Sequence, residues 1–369
     1  MKKFIGFIAI TALLFACSKT DITPTEDSLA VATEKAKGGN GGGGGGGGGP
    51  EMTVTTYEAS YVLPFGATCG GEVSSSGGGD KVTERGVCFS TDPDPTIDDV
   101  TVPSGSGSGT FTCLLSGLLD NTTYYVRAYA NKTKKGVITT TYGEELSFTT
   151  SEAIYGTVTD IDGNTYTTIE IGTQVWMIEN LKTTKYRDGT LIPNVTDAAD
   201  WADLSTGAYC DYDNDPDNSD TYGRLYNGYA VDDSRNIAPE GWHVATGDDV
   251  QTLIHYVSGT NPIMNGTGAR LKEVGTDHWQ SPNTYADNSS AFTALPGGFR
   301  MVLPTAFEYL ETQGRWWTSD PSGEGNLKYY WMGYNHDRFM GSFSGDSYPS
   351  WPNEPYNKSN GYSVRCVQD

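Results

Sequence analysis

Positive charge is what this sequence has least of. Twenty-four Lys and Arg stand against 46 Asp and Glu, a formal net charge of −22. So acidic a balance argues against nucleic acid as a partner, because phosphates attract basic faces. It argues equally against docking on anionic lipid through charge. Histidine is scarce: His243, His255, His278 and His336 are the full set, and none has metal-ligand spacing. No CxxC or CxxH pair occurs, which argues against structural zinc. There is no Gly-x-Ser-x-Gly nucleophile elbow. The apolar run Phe4–Phe15 is too short to span a bilayer.

That short run is nevertheless informative. Lys2 and Lys3 precede it, and Leu14-Phe15-Ala16-Cys17 closes it. A charged start, a short apolar stretch and a small residue make a secretory signal, which takes no part in the fold. The tetrad resembles a bacterial lipobox, which implies cleavage after residue 16 and acylation of Cys17. Several acyl chains hold a protein durably, since each buried methylene contributes about 0.8 kcal/mol. The expected location is the bacterial outer membrane, lipid-anchored and exposed at the surface, with the membrane contacted through the anchor alone.

Residues 17–51 read as a lipidated tether: a polar stretch, then Gly38, Gly39, Asn40 and an unbroken glycine run over 41–49. Such a run buries nothing and cannot offset its ordering entropy. At roughly 5–6 Å times the square root of its length, it reaches on the order of 30 Å. Five cysteines remain after Cys17, namely Cys69, Cys88, Cys113, Cys210 and Cys366. An odd number leaves at least one thiol unpaired within a chain.

Residues 52–150 read as an all-β sandwich. Alternating segments recur at Thr53–Tyr57, Ala67–Val73, Thr83–Ser90, Gly109–Leu115, Thr123–Asn131 and Glu144–Thr149, broken by turn-rich Ser74–Asp80 and Pro103–Ser108. Tyr124, Val126 and Ala128 share one face of their strand, and Cys69 and Cys113 fall on apolar phases, as buried thiols do. Leu118-Leu-Asp-Asn-Thr-Thr-Tyr-Tyr-Val-Arg-Ala-Tyr and Glu145-Leu-Ser-Phe-Thr-Thr resemble the corner and last strand of a fibronectin type III domain. The resemblance implies a spacer or presentation module.

Residues 152–369 form a second domain. It opens with two alternating runs around Asp160-Ile-Asp-Gly-Asn, the pattern of a hairpin. Thr246 is a natural N-cap, followed by the helical stripe Val250, Leu253, Ile254 and Val257; a weaker helix covers Gly268–Glu273. Tyr362-Ser-Val-Arg-Cys-Val reads as a closing strand. Six blocks follow in order: Gln174-Val-Trp-Met-Ile-Glu-Asn-Leu, Tyr222-Gly-Arg-Leu-Tyr-Asn, Gly241-Trp-His, Ala294-Leu-Pro-Gly-Gly-Phe-Arg, Arg315-Trp-Trp-Thr-Ser and Asn360-Gly-Tyr-Ser-Val-Arg-Cys-Val. Together they resemble the Fibrobacter succinogenes major paralogous domain. That resemblance implies an α+β, C-type-lectin-like fold, also used by formylglycine-generating enzymes, on an exported lipoprotein. The expected architecture is therefore multidomain, a fibronectin type III-like sandwich followed by a C-type-lectin-like head.

Formylglycine-type chemistry needs neighbouring cysteines to hold copper. Cys210 and Cys366 are far apart in sequence and are expected instead to form a disulfide between an early loop and the last strand. By the chain-entropy model such a bond contributes on the order of 4 kcal/mol. Asp211, Asp213, Asp215 and Asp217 alternate as a calcium loop begins, since a hard cation needs several oxygens within one turn. Pro216 and Tyr222 stand where an EF-hand has glycine and glutamate, so the stretch is a looser calcium site or a solvated acidic loop. No other cofactor is indicated. Carboxylates are too numerous to single out an acid/base pair, and no catalysis is expected.

Aromatics crowd the end of the chain. Trp317, Tyr330 and Trp331 are expected in the core, and Trp316, Tyr348, Trp351 and Tyr356 as ligand-binding rings, because sugars stack apolar C–H faces on aromatics. The expected function is recognition or adhesion, by binding an extracellular glycan or surface protein. The alternatives are a structural subunit of a surface assembly and a carbohydrate-active or modifying enzyme.

Overall fold

Most of the alternating segments become strands in the computed structural model. It describes residues 52–74, 81–134, 136–258, 266–302, 305–322, 325–341 and 357–369. The expected leader and tether, with Cys17, and the rings Tyr348, Trp351 and Tyr356 lie outside the described residues. Contacts divide the chain into two units. The first holds the described residues to Ser60, Thr68–Leu115 and Thr123–Thr149; the second holds Tyr61–Ala67, Ser116–Thr122 and Thr150–Asp369. Among the described residues no helix is long and apolar enough to cross a membrane.

The first unit contains strands β1 (Thr53–Leu63), β2 (Gly66–Ser74), β3 (Val82–Ser90), β4 (Val100–Pro103), β5 (Gly109–Ser116), β6 (Thr123–Lys134), β7 (Val137–Tyr142) and β8 (Leu146–Thr149), the first two running into the second unit's Tyr61–Ala67. One sheet has the order β1-β2-β5; the other has β4-β3-β6-β7, with β8 also on β6. Cys69, Val73, Cys113 and Leu115 from the first sheet and Val87, Phe89, Val126 and Ala128 from the second are buried. The sheets touch where Gly71 backs onto Ala128: a Cβ at Gly71 would come within 2.7 Å of the Ala128 Cβ. Sequence alternation found most of these strands but not β4 or β7, which have no buried side chain and so carry no two-sided pattern.

The second unit contains β9 (Tyr155–Thr159), β10 (Thr165–Ile171), β11 (Gln174–Met177), α1 (Ala198–Ala202), β12 (Tyr209–Cys210), α2 (Pro216–Tyr222), β13 (Leu225–Asn227), α3 (Gly228–Val231), β14 (Trp242–Val244), α4 (Gly247–Ser258), α5 (Thr267–Leu271), β15 (Gly297–Val302), β16 (Thr305–Leu310), β17 (Gln313–Pro321), β18 (Leu327–Gly333), β19 (Phe339–Gly341), β20 (Gly361–Tyr362) and β21 (Cys366–Gln368). One sheet runs β14-β21-β11-β10-β9; the larger runs β12-β13-β20-β15-β17-β18-β19, with β16 on β15.

Local chemistry explains the expected elements. The β9–β10 turn closes on Asp160, which accepts from Asp162 N, Asn164 N, Asn164 Nδ2 and the Tyr166 hydroxyl at 2.6–2.9 Å. Thr246 starts α4 with a reciprocal cap: Thr246 N donates to Asp249 Oδ2 at 2.8 Å and Asp249 N to Thr246 Oγ1 at 3.1 Å. Val250, Leu253, Ile254 and Val257 are its buried face. The closing strand is not continuous. Ser363–Arg365 cross from the larger sheet to the smaller, with Trp317 N donating to the Ser363 carbonyl and Leu181 N to that of Val364.

Candidate functional site

Five of the six resemblance blocks send a polar residue into the interior. Asn180 is buried, and its Oδ1 accepts from Trp316 Nε1 at 2.7 Å and from Arg365 Nε at 3.0 Å. Arg365 also donates to the carbonyls of Phe292, Thr293 and Met177. Burial pushes its guanidinium down to about 10. Arg300 donates to the carbonyls of Val195, Thr196 and Asp197 at 2.8–3.1 Å. Arg315 lies 3.7 Å above the Phe299 ring centre. Backbone carbonyls and ring faces surround these cations, so the blocks encode a cross-braced interior.

Two expectations change accordingly. Trp316 is fully buried and stacked on Tyr330 at 5.4 Å, so it is not an exposed platform. Trp317 and Tyr330 are buried as expected, and Trp331 is half-buried. Cys210 and Cys366 are free, buried thiols in separate apolar clusters, not a disulfide. Burial pushes the Cys210 thiol up to about 12 and raises that of Cys366 further. The acidic stretch does not converge on a cation. Asp211 faces Arg224 at 3.5 Å, Asp215 caps α2, and Asp213 and Asp217 point outward as exposed residues. Among the described residues no group of three or more His, Cys, Asp or Glu is placed to hold a metal.

Polar and aromatic groups instead reach the surface together at the turn from β16 to β17. Tyr309 and Glu311 both adopt left-handed backbone, φ +65° and +62°. The Tyr309 carbonyl accepts from Thr312 N and Oγ1, and Glu311 N donates to the Pro296 carbonyl at 3.0 Å. The Tyr309 ring stacks parallel on buried Phe299, with centroids 5.3 Å apart and planes 13° apart, while 47 % of the residue stays exposed. Tyr222, ending α2, lies beside this turn: a Cβ on Gly297, the partner of Leu310 in the ladder, would sit 3.3 Å from the Tyr222 Cβ. The ring edge of Tyr222 meets half-buried His278 at 5.8 Å, and His278 Nδ1 bonds the Glu273 carboxylate at 2.9 Å. Burial raises the Tyr222 phenol, and the facing carboxylates of Glu311 and Glu273 raise it further.

The surrounding backbone is unusually strained. Among the described residues, seven of the thirteen non-glycine residues with left-handed backbone fall between Asn283 and Glu311. Such residues cost of order 1–3 kcal/mol each and gather at ligand clamps and active sites. Around the Tyr222 phenol two carboxylates and an imidazole can accept hydroxyl hydrogens, and the half-exposed Tyr309 ring, two residues from Glu311, can stack an apolar face. Sequence reading did not connect these residues. Tyr222 lies in a resemblance block and His278 was visible as a rare histidine, but no spacing joins either to Glu273, Tyr309 and Glu311.

A second polar node ties the smaller sheet to α4. His243 on β14 bonds Asp249 through Nε2 at 3.0 Å and Asp369 through Nδ1 at 2.8 Å. Gln174 Nε2 donates to Asp249 Oδ1, and Gln174 accepts from Trp176 Nε1. Bonds made at both ring nitrogens make it a clasp.

The family model for the Fibrobacter succinogenes major domain matches residues 169–368. The chain belongs to this family. No curated protein and no solved structure matches the chain. Every resemblance block lies within the matched major domain, and the buried arginines and Asn180 belong to it. The stacked ring Tyr309 and the Glu273–His278 pair lie in it too, between the blocks.

Proposed function

We propose that this chain is a non-catalytic envelope lipoprotein whose major domain binds an extracellular glycan. Cys17 is the lipidated residue, anchored in the outer membrane and facing outward, and residues 17–51 are the leash. The strand orders β1-β2-β5 and β4-β3-β6-β7, with β8 following on β6, support reading the first unit as fibronectin type III-like. Mixed short helices and sheets in the second unit support a C-type-lectin-like head. In this reading calcium plays no part at Asp211–Asp217, because those carboxylates diverge.

One observation carries the glycan reading: the Tyr309 ring, held on Phe299 and half open, on the same turn as Glu311. A pyranose stacks on such a ring while carboxylates accept its hydroxyls. The test is a glycan array probed with the full chain, with and without calcium, beside Tyr309→Ala. The expected result is a defined glycan retained by the parent chain and lost by the variant, independent of calcium. Absence of any glycan signal, with co-purification of an envelope partner, would replace this reading with that of an assembly subunit. Cleavage of a bound glycan would replace it with an enzyme.

A further inference from the structure

Strand β7 has a partner on one side only. It pairs with β6 from Tyr129↔Tyr142 to Lys134↔Val137 without a register shift, and among the described residues no strand lies along its other edge. Natural edge strands are guarded by charge, proline, a bulge or extreme shortness. Val137-Ile-Thr-Thr-Thr-Tyr has no charge and no proline, and its ladder has no bulge. All six side chains are strand formers. Val137 and Ile138 are 65 % and 63 % exposed.

We propose that the β7 edges of two copies of this chain pair antiparallel and join two sheets into one. Symmetry restricts the register. A two-fold axis normal to the sheet preserves its faces, so paired positions must share a face and the axis must pass beside one residue opposite its own copy. Centring on Thr140 sets Ile138 opposite Tyr142, Thr139 opposite Thr141, and Thr140 opposite Thr140. Ile138 with Tyr142 is a β-branched–aromatic pair, and the others are threonine pairs, both favourable across strands. Tyr142 is already fixed, since its hydroxyl accepts from Ile97 N at 3.1 Å and Arg127 lies 4.7 Å over its ring. Centring on Thr139 loses the aromatic pair. An uncharged strip also lets two copies of a chain carrying −22 approach without like charges meeting across the seam. An anchored chain meets other copies in the plane of the membrane, and pairing would present two heads together.

Disulfide trapping of the full chain in detergent tests this. Thr140→Cys places two thiols opposite each other, whereas Thr139→Cys faces Thr141. Under mild oxidation Thr140→Cys is expected to give a reducible homodimer on a denaturing gel, and Thr139→Cys to give none. Adding Ile138→Lys, at an exposed position, should abolish the Thr140→Cys dimer with the thermal melt unchanged. The proposal is overturned if neither cysteine variant cross-links or both do so equally. It is also overturned if the trapped partner is a different protein by mass spectrometry, or if Ile138→Lys leaves the dimer intact in a folded chain.

Discussion

Arg365 Nε donates to Asn180 Oδ1 at 3.0 Å inside the major domain. Among the described residues no carboxylate bonds this buried guanidinium, and the same amide oxygen takes the indole hydrogen of Trp316. Asn180 Nδ2 donates to the Tyr222 carbonyl at 2.7 Å, so one amide links β17, the last crossover and the end of α2. Asn180→Ala would leave several buried groups unpaired at about 1–3 kcal/mol each, a loss on the order of 3–5 kcal/mol. All eight tryptophans lie at residue 176 or beyond, so indole fluorescence in a urea titration follows the second unit alone. A change in midpoint near zero would mean this amide is not a keystone.

The same strand shows why parts of the sequence were legible and others were not. Alternation found the first unit's main strands because each buries one face. The turn at Asp160 and the helix after Thr246 announced themselves through local side-chain chemistry. Trp316 misled because β17 is buried on both faces: Trp316 stacks on Tyr330 in one apolar cluster, while Trp317, expected in the core, packs at 4.4 Å from Tyr362 in another. Aromatic density cannot tell such a strand from an exposed platform. Cys210 and Cys366 share a domain, but sequence separation says nothing of which cluster each enters. The residues of the Tyr309 site come from four separate stretches, and only the fold assembles them.

The His243 clasp gives a pH dependence. Burial pushes the imidazole down, but hydrogen bonds to Asp249 and Asp369 outweigh it and hold its pKa above the ordinary value. Asp249 is lowered against its own burial by Thr246 and His243. A raised histidine stabilises fully below its unfolded value of about 6.5 and loses that contribution as pH rises through its folded value. A lowered carboxylate stabilises above about 3.9 and loses it as pH falls through its folded value. The clasp is therefore strongest between about pH 4 and 6.5. The stability gap between the parent and His243→Gln should be larger at pH 5.5 than at pH 9 in fluorescence-detected urea unfolding. Equal gaps would remove the clasp as a source of stability.

Lys272 behaves in the opposite sense. Its Nζ donates to the carbonyls of Thr284, Gly333 and His336 at 3.0–3.2 Å and lies 5.4 Å from the Trp279 ring centre. Burial pushes this lysine down to about 8, with Asp337 pulling weakly upward. The unfolded chain, at about 10.4, then binds more protons across the interval, so stability rises with pH through it. Lys272→Met should lose stability at every pH, because three carbonyls lose a donor. Its deficit against the parent should grow from pH 8 to pH 10. Parallel stability curves would show that the ammonium is not desolvated.

The free thiols predict insensitivity to reductant. Buried cysteines with raised pKa values hold little thiolate, the reactive form. Alkylation should leave Cys210 and Cys366 unmodified in the folded chain and label both after denaturation without reductant, and reductant should not move the unfolding midpoint. A Cys210–Cys366 peptide in a non-reducing digest would reinstate the bond.

Trp316 and Tyr309 separate stability from recognition. Trp316 has no exposed surface and bonds Asn180, so Trp316→Ala should cost about 3–5 kcal/mol, as large-to-small aromatic core changes do. Tyr309 is nearly half exposed, so Tyr309→Ala should stay within about 1 kcal/mol of the parent. Its left-handed backbone adds a control: Tyr309→Gly removes the ring and relieves the turn at once, since glycine adopts φ +65° freely. Both Tyr309 variants should lose glycan retention while their urea midpoints stay close to the parent's, Gly above Ala. Retention that survives both changes would show that the stacked ring is packing and that any recognition lies elsewhere on the major domain.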